Sequence, residues 1–117
     1  MLLNSFYDIK QSNPDGYVIR FNAQHPIFSG HFLGKPIVPG ACVVQIVEEL
    51  AALTFGYPLR FTSVHDLKFR QPITPDQEVT ICIQKVSESM CRVTCVDSIN
   101  EQRLIISFNA QFDSLIH

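Results

Sequence analysis

The chain has 117 residues, 46% of them apolar and 17% charged, with a formal net charge of -2. That length fits one domain, 1–117, whose core is viable without metal or disulfide. The slightly acidic balance gives no electrostatic footing for nucleic acid, which selects clustered basic surfaces.

The opening Met1-Leu2-Leu3-Asn4-Ser5 has no basic stretch followed by an apolar one, so no signal peptide is expected. No apolar run approaches the ~20 residues that span a bilayer. The four cysteines, Cys42, Cys82, Cys91 and Cys95, form neither a C-x-x-C pair nor a zinc spacing. Free thiols packed as small hydrophobes, a cytoplasmic location and no metal or cofactor are therefore expected.

Asn13-Pro14-Asp15-Gly16 reads as a turn and residues 17–21 as a strand. Residues 25–40 then hold Gly30, Gly34 and Gly40 with Pro26, Pro36 and Pro39, too much punctuation for a regular element. Glycine permits close backbone approach and proline fixes φ, so this is an ordered loop able to hold a side chain in place. His31 lies in its middle. A lone loop histidine is usually structural, but this setting favours contact with a substrate.

A helix follows over Gly40–Phe55. Pro39 suits its start, Gly56 its left-handed cap, and Pro58 prevents continuation. Cys42, Val43, Val44, Ile46, Val47, Leu50 and Leu53 cover most of its circumference, which predicts deep burial. Gln45, Glu48 and Glu49 share one narrow stripe that Ala41 and Ala52 extend, and this stripe faces solvent, a partner or a ligand. The free amides of Gly40 and Ala41 at the helix start suit a carbonyl oxygen gaining negative charge.

Residues 61–70 form a strand that ends before Pro72 and Pro75. Val79, Ile81 and Ile83 alternate in a strand ending near Val86. Ser87-Glu88-Ser89 turns into a strand carrying Cys91, Val93 and Cys95. At the end Leu104, Ile106, Phe108, Ala110 and Phe112 alternate with Ile105, Ser107, Asn109 and Gln111. Short turns imply antiparallel neighbours, and one apolar helix has one sheet to bury itself in. The pattern predicts an α+β hot-dog fold, an antiparallel sheet wrapped around one long central helix.

Two segments carry a resemblance. Gly30-His31-Phe32-x-Gly34-x-Pro36-x-x-Pro39-Gly40 is similar to the active-site signature of bacterial 3-hydroxyacyl–acyl-carrier-protein dehydratases of the FabA/FabZ type. Leu67-Lys68-Phe69-Arg70-Gln71-Pro72-Ile73-Thr74-Pro75-Asp76 resembles that family's second recurrent stretch. The likeness runs from about residue 6 to 112. It implies a cofactor-free lyase that converts a 3-hydroxyacyl thioester on acyl carrier protein to the trans-2-enoyl form. It also implies sites shared between two subunits paired edge to edge, with His31 as the loop histidine and Gly40, after Pro39, as the carbonyl donor.

The family's acidic helix residue falls at Gln45, which is a departure. Dehydration takes a proton from C2 and hydroxide from C3. Imidazole suits the first task near neutral pH, and a carboxylic acid normally assists the second. Gln45 can hydrogen-bond a hydroxyl but cannot protonate it. Three outcomes stay open: His31 carries the proton both ways, Glu49 one turn along substitutes as acid, or a homologous subunit supplies the acid. The rival functions are an acyl-thioester hydrolase using Glu49, and a pseudo-catalytic subunit that binds acyl carrier protein or pairs with an active homologue. The assembly is accordingly a homodimer, a higher oligomer or a heterodimer.

The plainer readings stand beside these. Phe28 and Phe32 anchor the loop in the core and also suit an acyl tunnel wall. Glu48 is structural, paired with a basic residue; His25 and His65 are ordinary loop and strand residues, and His117 is terminal. Lys35, Arg60, Lys68 and Arg70 are isolated cations that fit an acidic carrier only weakly. Cys42 lies near the helix start, but its apolar run speaks against covalent catalysis.

Overall fold

The computed structural model describes residues 1–29 and 36–116. Its helix, α1, spans Gly40–Phe55, the predicted bounds. Pro39 precedes it in an extended conformation, and Gly56 ends it at φ 82, a left-handed position that glycine takes without Cβ strain. The Gly56 amide closes on the Ala52 carbonyl at 3.0 Å.

Six strands form one antiparallel sheet among the described residues: β1 (Tyr7–Asn13), β2 (Gly16–Phe21), β3 (Leu59–Phe69), β4 (Glu78–Ser87), β5 (Met90–Asp97) and β6 (Leu104–Ser114). Their spatial order is β1-β2-β4-β5-β6-β3. The hairpins β1–β2 and β4–β5 use the predicted turns, with Asn13 opposite Gly16 and Ser87 opposite Met90.

Two features differ from the sequence reading. β1 precedes the first predicted strand; it is an edge strand in which Tyr7 alone is fully buried and Lys10 to Asn13 are exposed, so no sustained alternation marks it. β3 does not pair with β4 but crosses to the far edge beside β6. The chain between β3 and β4 is long enough to pass the helix start, where the Val38 amide bonds the Ile73 carbonyl at 2.8 Å and both side chains are buried.

The core lies between sheet and helix. Val43, Ile46, Val47, Leu50 and Ala51 are the buried residues of α1, and Ile19, Val79, Ile81, Val93, Cys95, Ile106 and Phe108 are buried in the strands. Each large side chain so buried contributes roughly 1.5–3 kcal/mol of transfer free energy. Burial is confined to one side of the helix: Ala41, Gln45, Leu53 and Thr54 are exposed, Leu53 at 52%. The deep burial expected of the apolar positions holds for Val43, Ile46, Val47 and Leu50 but not for Leu53, which lies on the side away from the sheet. The stripe of Ala41, Gln45, Glu48, Glu49 and Ala52 lies on the less buried side.

Candidate functional site

The two segments singled out in the sequence meet at the start of α1. The Phe69 ring, at the end of β3, lies against Gly40 so closely that a Cβ there would sit 3.3 Å from a ring carbon. Together with the Val38–Ile73 bond, this fixes the backbone that enters the helix. The Pro39 carbonyl accepts from the amides of Cys42 at 3.0 Å and Val43 at 3.3 Å. The Gly40 and Ala41 amides precede this ladder, and Pro39 provides no side-chain cap. They are the donor ends of the helix dipole, suited to an oxygen gaining negative charge.

His31 and Phe32 lie outside the described residues. The turn before them is anchored from within the fold. His25 Nδ1 accepts the Ile27 amide at 3.1 Å and so caps the 3-10 turn Pro26–Phe28. Its ring stands edge-on to Phe6 at 5.2 Å, and half-buried Phe28 stacks on the same Phe6 at 5.4 Å. His25 and Phe28 therefore tie the entrance of the loop to the core.

Gln45 is exposed and lies five residues after Gly40, about 7.5 Å along the axis. Its Nε2 donates to Glu49 Oε2 at 3.4 Å. Glu49 also accepts the amides of Leu2 on Oε2 at 2.8 Å and Leu3 on Oε1 at 3.0 Å, and the Tyr7 hydroxyl on Oε1 at 3.0 Å. Burial, then the Glu49 charge and hydrogen bond, push the Tyr7 phenol well above its ordinary range, so it remains a donor. Sequence reasoning did not find Leu2, Leu3 or Tyr7; they lie more than forty positions from Glu49 and carry no motif.

Glu48 has a structural partner, though not the expected basic residue: its Oε2 accepts the Phe61 amide of edge strand β3 at 2.9 Å. Burial raises the Cys42 thiol above its ordinary value, which opposes a thiolate nucleophile. Beyond Glu49 a mainly apolar groove of about 600 Å³ runs along the second half of α1, lined by Glu48, Glu49, Ala52, Leu53, Tyr57 and Leu59 among others. No helix of the described residues is long and apolar enough to cross a membrane.

A family model described as ApeI-like, ApeI dehydratase, matches residues 10–107. Among curated relatives, the 3-hydroxyacyl-[acyl-carrier-protein] dehydratase FabZ of Wolbachia sp. subsp. Drosophila simulans is 28% identical over 97 residues, covering 74% of this chain and 65% of that protein. The enzyme of the same name from Haemophilus influenzae is 23% identical over 96 residues, 75% of this chain and 65% of its own length. The chain thus spans just under two thirds of these relatives. In fold it resembles a protein from Erwinia carotovora subsp. atroseptica (TM-score 0.73, 20% identity, 94% of this chain and 93% of that one). It also resembles the dehydratase heterocomplex ApeI:P from Xenorhabdus doucetiae (TM-score 0.68, 17% identity, 88% and 91%) and zebra fish thioesterase superfamily member 2 (TM-score 0.62, 12% identity, 95% and 82%). An antiparallel sheet with one long helix is common to this hot-dog group, as the sequence pattern predicted.

Proposed function

Because the chain belongs to the ApeI-like dehydratase family, we propose that it dehydrates 3-hydroxyacyl thioesters, carried on acyl carrier protein, to trans-2-enoyl thioesters. The observation that carries this reading is the start of α1: amides of Gly40 and Ala41 ahead of the helical ladder, in a backbone pinned by Phe69 and Ile73, with Gln45 one and a half turns along. These amides hold the thioester oxygen, which makes C2 acidic. His31 takes the C2 proton, the C2–C3 double bond forms as the C3–O bond breaks, and the imidazolium returns the proton so that water leaves. Gln45 orients the 3-hydroxyl. Pro39 shapes the approach to the oxygen site, Phe28 and Phe32 wall the acyl passage, and the groove beyond Glu49 offers apolar surface for the rest of the chain.

In this reading the protein works in the cytoplasm as a homodimer. The test is a spectroscopic assay with 3-hydroxyacyl carrier substrates of several chain lengths. Enoyl product supports the reading; a folded dimer that forms none at any length rejects it, and thiol release without enoyl formation selects hydrolysis.

One observation favours a second reading. The acid position holds Gln45, and one relative in fold is a dehydratase heterocomplex. A homologous chain would then supply the carboxylic acid. Activity appearing only when the two chains are mixed selects this reading.

A further inference from the structure

We propose that Glu49 is a positioning residue: clamped by the Leu2 and Leu3 amides and the Tyr7 hydroxyl, its carboxylate fixes the side-chain amide of Gln45 toward the substrate's 3-hydroxyl. This rests on the dehydratase reading and deepens it.

The clamp is built into the fold. Residues 2–7 form a compact turn in which the Phe6 amide bonds the Leu2 carbonyl at 2.8 Å and the Asn4 amide bonds the Tyr7 carbonyl at 2.7 Å. Phe6 and Tyr7 are fully buried. Phe6 packs edge-on to Phe21 at 5.9 Å and stacks on Phe28. The turn thus delivers three donors to one carboxylate from a rigid base.

Chemistry then sets the orientation of Gln45. An ionised carboxylate is acceptor-only, with about four lone-pair sites. Oε1 takes the Leu3 amide and the Tyr7 hydroxyl; Oε2 takes the Leu2 amide and Gln45 Nε2. Four donors fill four sites, which leaves none for a substrate hydroxyl. Gln45 is exposed, and its terminal amide torsion is otherwise broad and two-fold. Facing a carboxylate, it must turn Nε2 inward and Oε1 outward. Nε2 keeps a second N–H, so the amide presents one acceptor and one donor to the 3-hydroxyl. A neutral amide at position 49 would offer either end and leave the orientation open. Glu49 therefore acts on the reaction through Gln45 and does not itself protonate the leaving oxygen.

A double-mutant cycle on the full chain tests this, with kcat and KM measured on a 3-hydroxyacyl carrier substrate. Glu49→Gln is expected to lower kcat roughly tenfold with little change in KM, the scale of a lost orientation. In a Gln45→Ala background the same substitution should cost nothing further, because its effect runs through the missing side chain. Independent, multiplying losses overturn the proposal. Tyr7→Phe keeps the ring and removes one donor, so it tests the clamp even where Glu49→Gln folds poorly; a smaller loss in kcat supports the proposal and wild-type kcat overturns it. The Gln45 side-chain amide resonances give a readout independent of turnover. Movement of these shifts toward those of an unconstrained glutamine amide in either variant supports the clamp, and unchanged shifts overturn it, including where the wild-type chain forms no enoyl product and the dehydratase reading alone has failed.

Discussion

At position 45 an amide stands where the resemblance seen in the sequence implies an acid, one turn from a carboxylate that it touches. Gln45→Glu would set two carboxyl groups at i and i+4. Like charges at that spacing repel, which destabilises the helix by about 0.2–0.5 kcal/mol and favours the protonated form of the introduced carboxyl. A raised pKa keeps the new carboxyl protonated closer to neutral pH, the form a leaving hydroxide needs. Gln45→Glu is therefore expected to raise kcat by about tenfold or more, with activity falling on the alkaline side as the carboxyl ionises. A pH series of kcat checks this; a rise that persists unchanged to high pH would mean that proton donation is not the cause. The site was partly legible at this scale. The helix start at Gly40 and the polar stripe that holds Gln45 follow from helix-terminus signals and 3.6-residue periodicity, both local rules, whereas the roles proposed for them rest on the resemblance. The partners of Glu49 and Glu48 were not legible, because Leu2, Leu3, Tyr7 and the Phe61 amide reach them only through the tertiary fold.

Elements with one clean periodicity were legible, and those whose place depends on pairing were not. α1 is bounded by Pro39 before its first turn and by the Gly56 cap at its end, and β4 and β5 alternate around a two-residue turn, so sequence marks their extent. β1 is mostly polar and its register shifts between Ile9 and Gln11, so only its pairing with β2 defines it. The β1–β2 hairpin joins the sheet where Tyr17 lies opposite Ile81. There a Cβ on Gly16 would press into the Ile81 carbonyl oxygen and stand 3.2 Å from Cys82 Cα. Both neighbours are backbone and cannot yield without moving β4. Gly16→Ala should thus lose about 1–3 kcal/mol, the scale of overpacking against a fixed neighbour. Urea unfolding measures it. A midpoint equal to wild type would mean that the hairpin shifts freely, and the anchoring of β2 on β4 would need another account.

For the molecule as a whole, the core that supports the site carries protons that the unfolded chain gives up more readily. Burial pushes the Cys91 thiol up to about 11, despite a backbone hydrogen bond that acts the other way. Burial, with a smaller contribution from nearby Cys82, pushes Cys95 up to about 12. Tyr7 is shifted in the same direction. Below about pH 9, the ordinary thiol value, folded and unfolded chains both keep these thiols protonated and their contribution to stability is constant. Above it the unfolded chain releases protons that the folded chain retains. Stability therefore falls as pH rises from about 9 toward the folded values of about 11 and 12. Urea midpoints followed from neutral pH to about 10.5 should decline. The decline should be shallower in a Cys91→Ala/Cys95→Ala double variant, whose overall stability is lower but whose pH slope reflects Tyr7 and the remaining groups. Equal slopes in the two proteins would exclude the buried thiols as its source. The same linkage bears on the site, since Tyr7 is both a core residue and a donor to Glu49. Because burial and the Glu49 charge hold that phenol protonated well beyond this range, the clamp on Glu49 should persist through the alkaline decline, and the Gln45 orientation should be lost only as the chain itself unfolds.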